Sequence, residues 1–517
     1  MDQRAVLVVC AALTGLGVSA AEKQKPNVLL IITDEQQWQC LGANGNPIIK
    51  TPNLDKLASQ GINYSNMYVV AYPSSPSRAC LLSGLYPNDN GVVVNDVVMP
   101  AFVPTMGTIF RDAGYHTAWL GKMHLGAYHD PASKSAFVSW KDQKAVLTSA
   151  QPGEYAPGEN DPQLGFNHWV SPQKDYIAYL QETEVWARIP NAKVRVKGSH
   201  TNAPVVDKEI HAGYSDVPEE HVIETFLISK AIEFLKEKEG NPFCMGVSLP
   251  APHSPYTPPK PWDTMYKPED MVLPLNWNLP SDKMPSFPGN HGNYKGGVWS
   301  ADQFKSHMAH IYGYVSYVDQ QVGRLLDYLS QSGLDKNTIV IFTADHGNAV
   351  ASHGFITKVY AAWEELLKVP FLIRLPEGMG AKQRGRIVHS YATLIDILPT
   401  LLELASLEAP EKLAGRSLAD ELRGRAKKDN NCIITFVKTE LGRDRGGECR
   451  MIRQGDWKLV TWSINRADWE LYDLKNDPWE MSNLCADPAQ AKRVEAMKKL
   501  LDEKTESRTK PSWVKNS

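Results

Sequence analysis

Two segments, residues 28–33 and 338–343, constrain the fold more than any other feature of the chain. Each is an unbroken apolar β-run that leads into acid: Asp34 and Glu35 follow the first, Asp345 the second. A strand apolar on both faces needs helices above and below it, which places it in the centre of a covered, largely parallel sheet. Similar runs recur at 117–120, 243–249 and 369–374, and helical patterns alternate with them at 52–60, 106–114, 219–239 and 304–332. Thr51 can cap the first helix, Pro52 suits its first position and Gly61 stops it. The alternation predicts an α/β fold with a central mixed, largely parallel sheet between helices. Ligands in such folds gather where strands end, and Asp34, Lys122, His253 and Asp345 all lie just past a strand.

The 517 residues leave room for a second domain. Residues 426–431 read as a linker. Beyond it, short strands at 433–437 and 457–462 and a helix at 489–506 predict a small α+β domain over 431–517. The larger domain, 21–425, is interrupted by two stretches: about 127–218 mixes Gly, Pro, Trp and charge without sustained periodicity, and about 254–300 is rich in Pro, Trp and Asn. Long loops of this kind over a rigid sheet shape a substrate pocket. The net charge of −3 gives no global basic field, so no nucleic-acid partner is expected.

The first 20 residues read as an export signal. Arg4 precedes an apolar run at 5–13, small residues follow, and Val18, Ser19 and Ala20 resemble a signal-peptidase site. No later segment has the ~20 apolar residues of a membrane span, so a secreted or periplasmic protein is expected. Six cysteines remain after the signal, with no CxxC pair. Disulfides are permitted, Cys432 with Cys449 being the most local candidate, and free buried thiols are the equal alternative.

The segment 73–87, Pro-Ser-Ser-Pro-Ser-Arg-Ala-Cys-Leu-Leu-Ser-Gly-Leu-Tyr-Pro, carries the strongest chemical signal. It opens an apolar helical turn with an arginine, against the preference of the helix dipole. An anion held there by the guanidinium and the free N–H groups would explain that choice. This segment resembles the signature of the type I sulfatases, Cys/Ser-x-Pro-Ser-Arg followed by Leu-Thr-Gly. Ser74 takes the first position; Pro76, Ser77, Arg78, Leu82 and Gly84 match, and Ser83 replaces the usual Thr. The resemblance implies an alkaline-phosphatase-like fold and oxidation of Ser74 to formylglycine by a maturation enzyme. The serine form is similar to the type matured by radical enzymes without oxygen, which implies a bacterium. A hydrated aldehyde carries two hydroxyls. One attacks sulfur, and deprotonation of the other expels sulfate, which a plain serine sulfate would release with difficulty.

Further elements resemble the family in order along the chain. Asp34 ends the first strand as a metal ligand does, although Glu35 stands where many members have a second Asp. Gly121-Lys122-Met123-His124 resembles a Gly-Lys-x-His element, Pro252-His253-Ser254-Pro255 a His-x-Pro element, and residues 343–347 the second metal segment, with Asp345 and His346. Lys358, ahead of Trp363 and Glu364, resembles a lysine of the same site. Taken singly, Asp34 could be a strand cap, His253 a loop histidine, and Lys122 and Lys358 solvated lysines; their shared order favours a site. His221 and His310 fall on helical patterns and read as structural.

The resemblance implies one divalent cation, calcium being the expected ion, on Asp34, Glu35, Ser74, Asp345 and His346. It implies that Arg78, Lys122 and Lys358 stabilise the transferred sulfuryl group, while His253 or His124 protonates the leaving alcohol. The expected substrate is a sulfated carbohydrate. The alternatives are a phosphodiesterase or phosphonate monoester hydrolase of the same superfamily and, more distantly, a non-catalytic glycan-binding protein on this scaffold.

Overall fold

The computed structural model describes residues 25–95, 97, 99–100, 102–125, 164–172, 174–185, 204–237, 240–280, 284, 293–379, 384–425, 432–438, 447–462 and 469–506. The expected export signal, the linker at 426–431 and much of the first insertion lie outside these residues. Eight strands form the main sheet: β1 (Asn27–Thr33), β2 (Ile62–Tyr64), β3 (His116–Gly121), β4 (His168–Val170), β5 (Phe243–Leu249), β6 (Thr338–Ala344), β7 (Phe371–Arg374) and β8 (Arg386–Val388). Their order is β8-β2-β7-β6-β1-β5-β3-β4, and β7 runs antiparallel to both its neighbours. The sheet is therefore mixed and largely parallel, as the apolar runs require.

Side chains alternate across β1 and feed two cores. Val28, Leu30 and Ile32 pack with Leu81 and Leu82 of helix α2 (Ser74–Ser83) and with Leu398 and Leu401 of a helix at Ile397–Ala405. Leu29 and Ile31 pack on the other face with Leu54 and Leu57 of α1 (Pro52–Gln60), Phe226 and Leu227 of α3 (Ile223–Glu237), and Val318 and Val322 of α4 (Ala301–Gln331). Each such side chain contributes about 1.5–3 kcal/mol when fully buried. Register then fixes the edge where chemistry can occur. Thr33 of β1 pairs with Ala344 of β6 and Leu249 of β5, so three parallel strands end level.

Several boundaries differ from the sequence pattern. The helix expected from 219 begins at Ile223. Glu219–His221 form a separate 3-10 turn, and Val222 adopts extended backbone (ψ 150°) while its side chain is buried in the core. At α4, Ser300 and Gln303 form a reciprocal capping box that starts the helix three residues before the apolar pattern. Thr51 does not cap α1; its hydroxyl donates to Asp55 at 3.0 Å. The N-terminal amides of α1 are satisfied instead by Asp319 of α4, which accepts from Asn53 at 3.2 Å and Leu54 at 2.8 Å.

The C-terminal sheet contains β9 (Cys432–Lys438), β10 (Glu448–Gln454), β11 (Trp457–Trp462) and β12 (Trp469–Asp473), with α5 (Ala491–Glu506) beyond it. Its fifth strand, Ala71–Tyr72, comes from the main domain and pairs parallel with β9. All six cysteines among the described residues are free. Val437 is the partner of Cys449 across the hairpin. Cys432, five residues back, is therefore about 17 Å from Cys449, too far to bridge.

Replacing Asp319 with Ala should leave two α1 amides without their acceptor. A loss of about 1–2 kcal/mol in unfolding free energy is expected from urea titration.

Candidate active site

Ser74 opens α2, whose ten residues are all buried. Its hydroxyl lies 2.9 Å from Nε2 of His346. The other ring nitrogen, Nδ1, lies 2.8 Å from the Gly347 carbonyl oxygen and donates to it. That bond leaves Nε2 as the acceptor, so Ser74 donates. Burial lowers the His346 pKa, which keeps the ring neutral. The ring of Tyr72 packs edge-on against His346, with centroids 4.8 Å apart.

Arg78 follows Ser74 by one helical turn and so lies on the same face. Its Nε donates to Asp345 Oδ2 at 3.0 Å and its NH2 nitrogen to Asp34 Oδ2 at 3.3 Å. Its remaining nitrogen donates to the Lys122 carbonyl at 2.9 Å and to Ser248 Oγ at 2.7 Å. One guanidinium thus joins the ends of β1, β3, β5 and β6. Asp345 Oδ1 accepts the backbone N–H of Glu35 at 3.0 Å and of His346 at 2.9 Å. Ser77 donates to the Asp345 carbonyl oxygen.

Glu35 holds a left-handed backbone, φ 65°, uncommon for a side chain of this size and frequent at functional sites. Its Oε1 pairs with Lys358 and lies 3.0 Å from His253 Nε2. Its Oε2 accepts from Asn348 Nδ2 at 2.9 Å. Lys358 Nζ is also 2.9 Å from His253 Nε2. Lys122 pairs with Asp34. Burial pushes the Asp34 and Glu35 carboxyls up, but the basic groups beside them outweigh it, chiefly Lys122 for Asp34 and His253 with Lys358 for Glu35, so both stay well below the usual range. Asp345 is likewise held down: burial and Asp34 raise it, and the charges of Arg78 and Lys122 act against them.

Every expected site residue thus converges on one strand edge, with one difference in kind. His124 meets the nucleophile segment through its backbone: its carbonyl oxygen accepts from Ser75 Oγ at 2.5 Å. Two participants were not singled out by the sequence. Ser248, next to last in β5, reads as a strand residue, and Asn348 follows His346 by two, which was the available signal.

A metal site is present in chemical terms. Asp34, Asp345 and His346 offer ligand atoms within 4.8 Å of one another, as do Asp34, Glu35 and His253. Asp34 Oδ1 is buried with no hydrogen-bond partner among the described residues. Buried carboxylate oxygens of this kind suit a hard divalent cation. Three carboxylates (Asp34, Glu35, Asp345) face three cations (Arg78, Lys122, Lys358), so the side chains alone balance. A divalent cation would leave a net positive site for an anionic ester.

The sulfatase family model matches residues 26–407, and a model for the C-terminal region of N-sulphoglucosamine sulphohydrolase matches 351–507. The chain is 30% identical over 498 residues to a Δ4,5-hexuronate-2-O-sulfatase of Bacteroides thetaiotaomicron, covering 94% of this chain and 90% of that one. It is 28% identical over 499 residues to an arylsulfatase of Clostridium perfringens, covering 94% and 95%. Its fold is similar to that of the phosphonate monoester hydrolase of Silicibacter pomeroyi, with a TM-score of 0.74 at 21% identity over 94% of this chain and 96% of that one. The chain belongs to the sulfatase family, and its activity is that of a sulfuric ester hydrolase. That family generally carries a metal ion and a formylglycine.

Replacing Arg78 with Met would strand Asp345 as a buried, uncompensated carboxylate and leave Asp34 to Lys122 alone. A loss of about 3–5 kcal/mol is expected in cation-free buffer. Added calcium should restore part of it in a thermal melt, because a bound cation supplies the missing charge.

Proposed function

We propose that this chain is an exported bacterial sulfatase that removes sulfate from glycans using a formylglycine made from Ser74. The observation that carries the reading is the placement of Ser74. It heads a buried helix, faces His346, and shares its helix face with an arginine that joins two metal-ligand candidates. A signal at 1–20 is removed, residues 21–425 form the catalytic domain and 431–517 the smaller one. No helix among the described residues is long and apolar enough to cross a membrane.

In this reading Asp34, Glu35, Asp345, His346 and residue 74 hold one calcium ion. When bound, the cation withdraws charge from a sulfate oxygen and from the nucleophile. Lys122 and Lys358 sit against Asp34 and Glu35. With those carboxylates committed to a cation, both ammonium groups serve the three sulfate oxygens, beside Arg78. His253 is the group that protonates the leaving alcohol, because its Nε2 lies in the charged cluster beside Lys358. His124 secures Ser75 through its carbonyl. The hexuronate sulfatase relative supports a sulfated sugar as substrate.

Mass spectrometry of the peptide containing residue 74, from the native source, should show loss of two hydrogens. Ser74→Ala should abolish turnover and leave the thermal melt unchanged. Fully active enzyme with an unmodified Ser74 would overturn the reading. Because the fold is shared with a phosphonate monoester hydrolase, substrate class needs its own measurement. We expect kcat/KM for an aryl or sugar sulfate to exceed that for the matching phosphate diester on one preparation; the reverse order assigns the chain to phosphoester chemistry. Calcium should bind with unit stoichiometry in calorimetry and fail to bind Asp345→Asn. Tightly held zinc that calcium cannot replace would refute the oxygen-rich assignment.

A further inference from the structure

Lys458 stands on β11 of the C-terminal sheet, and its side chain is fully buried. An ammonium is not tolerated in such a place unless carboxylates hold it. Two do so: Glu480 Oε1 at 2.5 Å and Glu364 Oε1 at 3.4 Å. Burial lowers the Lys458 pKa, and Glu480 and Glu364 more than reverse the effect, so the group is charged. Glu480 keeps a left-handed backbone, φ 53°, and its Oε2 accepts the backbone N–H of Glu364 at 2.8 Å. Glu364 Oε2 accepts the Tyr68 hydroxyl at 2.5 Å and pairs with Arg453. Two glutamates and two cations balance, and none of these groups touches a reacting atom.

The turn they hold, Glu364–Leu367, closes a loop of the active site. The Gly347 amide donates to the Leu366 carbonyl at 2.8 Å, and a Cβ on Gly347 would collide with the Glu365 carbonyl oxygen. His353 stacks on Trp363 with ring centroids 3.9 Å apart. Both ends of loop 347–364 therefore meet at one helical turn. The loop carries Asn348, which holds Glu35, and Lys358, which pairs with it. His346 stands at its entrance, bonded through Nδ1 to Gly347.

We propose that Lys458 is a positioning residue for sulfate ester cleavage: through Glu480 and Glu364 it fixes the turn that closes loop 347–364, and so sets His346 and Lys358 against residue 74. The proposal rests on the site reading above and assigns the C-terminal sheet a part in activity that its distance in sequence conceals.

Lys458→Met alone would leave a buried carboxylate unpaired, so the test uses Lys458→Met/Glu480→Gln, which removes one charge of each sign. The folded double variant should lose about ten- to hundredfold in kcat on an aryl sulfate, as expected for a small misplacement of catalytic groups. KM should change less than about threefold, and calcium should bind more weakly in calorimetry. Lys458→Arg, which keeps the charge, should recover much of the lost kcat. Amide hydrogen exchange across 347–364 should be faster in the double variant than in the wild type, a readout independent of turnover. A folded double variant with wild-type kcat and wild-type exchange in that loop would overturn the proposal. So would failure of both variants to fold, which would make Lys458 a stability residue alone. A wild type that turns over no sulfate ester would refute the site reading, while the exchange comparison would still decide this one.

Discussion

The guanidinium of Arg78 lies between Asp34 and Asp345, and the arrangement of the catalytic edge follows from that contact. Parallel neighbours that end level deliver two carboxylates side by side. Without a partner they would repel one another in a buried site, and at least one would take up a proton. Arg78 bonds both and, with Lys122 beside Asp34, keeps them charged; its remaining donors reach Lys122 and Ser248 at the ends of two more strands. Because Arg78 sits one turn from Ser74, the same contact aims residue 74 at the carboxylates. The proposed nucleophile and the candidate metal ligands are thereby placed by one side chain rather than by separate loops.

Much of this was legible in the sequence because buried parallel strands are apolar on both faces and the acids that end them stand out. The motif at 74–84 pointed to the proposed nucleophile and to Arg78. What stayed hidden depends on contacts between distant parts of the chain. The α1 amides are capped by Asp319, some 265 residues away, so Thr51 looked like a cap with nothing nearby to contradict it. Ser248 acts through an arginine far from it in sequence, and in its own strand it reads as an ordinary residue. The Ser300 capping box, by contrast, was readable, since a serine followed three residues later by a glutamine is a local pattern.

The second sheet is tied closely to the catalytic segment. A two-residue strand shows no periodicity, so Ala71–Tyr72 could not be read as the fifth member of a sheet formed by residues more than 350 positions later. Its effect is mechanical. The chain leaves that sheet at Tyr72, and within two residues it presents Ser74 to the edge of the other. Tyr72 also packs against His346, the hydrogen-bond partner of Ser74. The nucleophile segment is thus held by a strand ladder on one side and a buried helix on the other, which limits its freedom to drift from the carboxylates.

Charge alone does not select sulfate on this scaffold. Three carboxylates and three basic groups cancel, and a divalent cation leaves about two positive charges. A sulfate monoester and a phosphate diester each bring one negative charge, so the same cradle suits both, and a shared fold with a phosphonate monoester hydrolase is physically reasonable. Discrimination must then come from the covalent step. A serine hydroxyl facing a neutral His346 can attack either centre, but the ester it forms with sulfate has no easy exit. A second hydroxyl on the same carbon provides that exit by expelling the sulfate once deprotonated. In the proposed mechanism Asp34, Arg78 and the lysines bind the anion, and the state of residue 74 decides which anion is released.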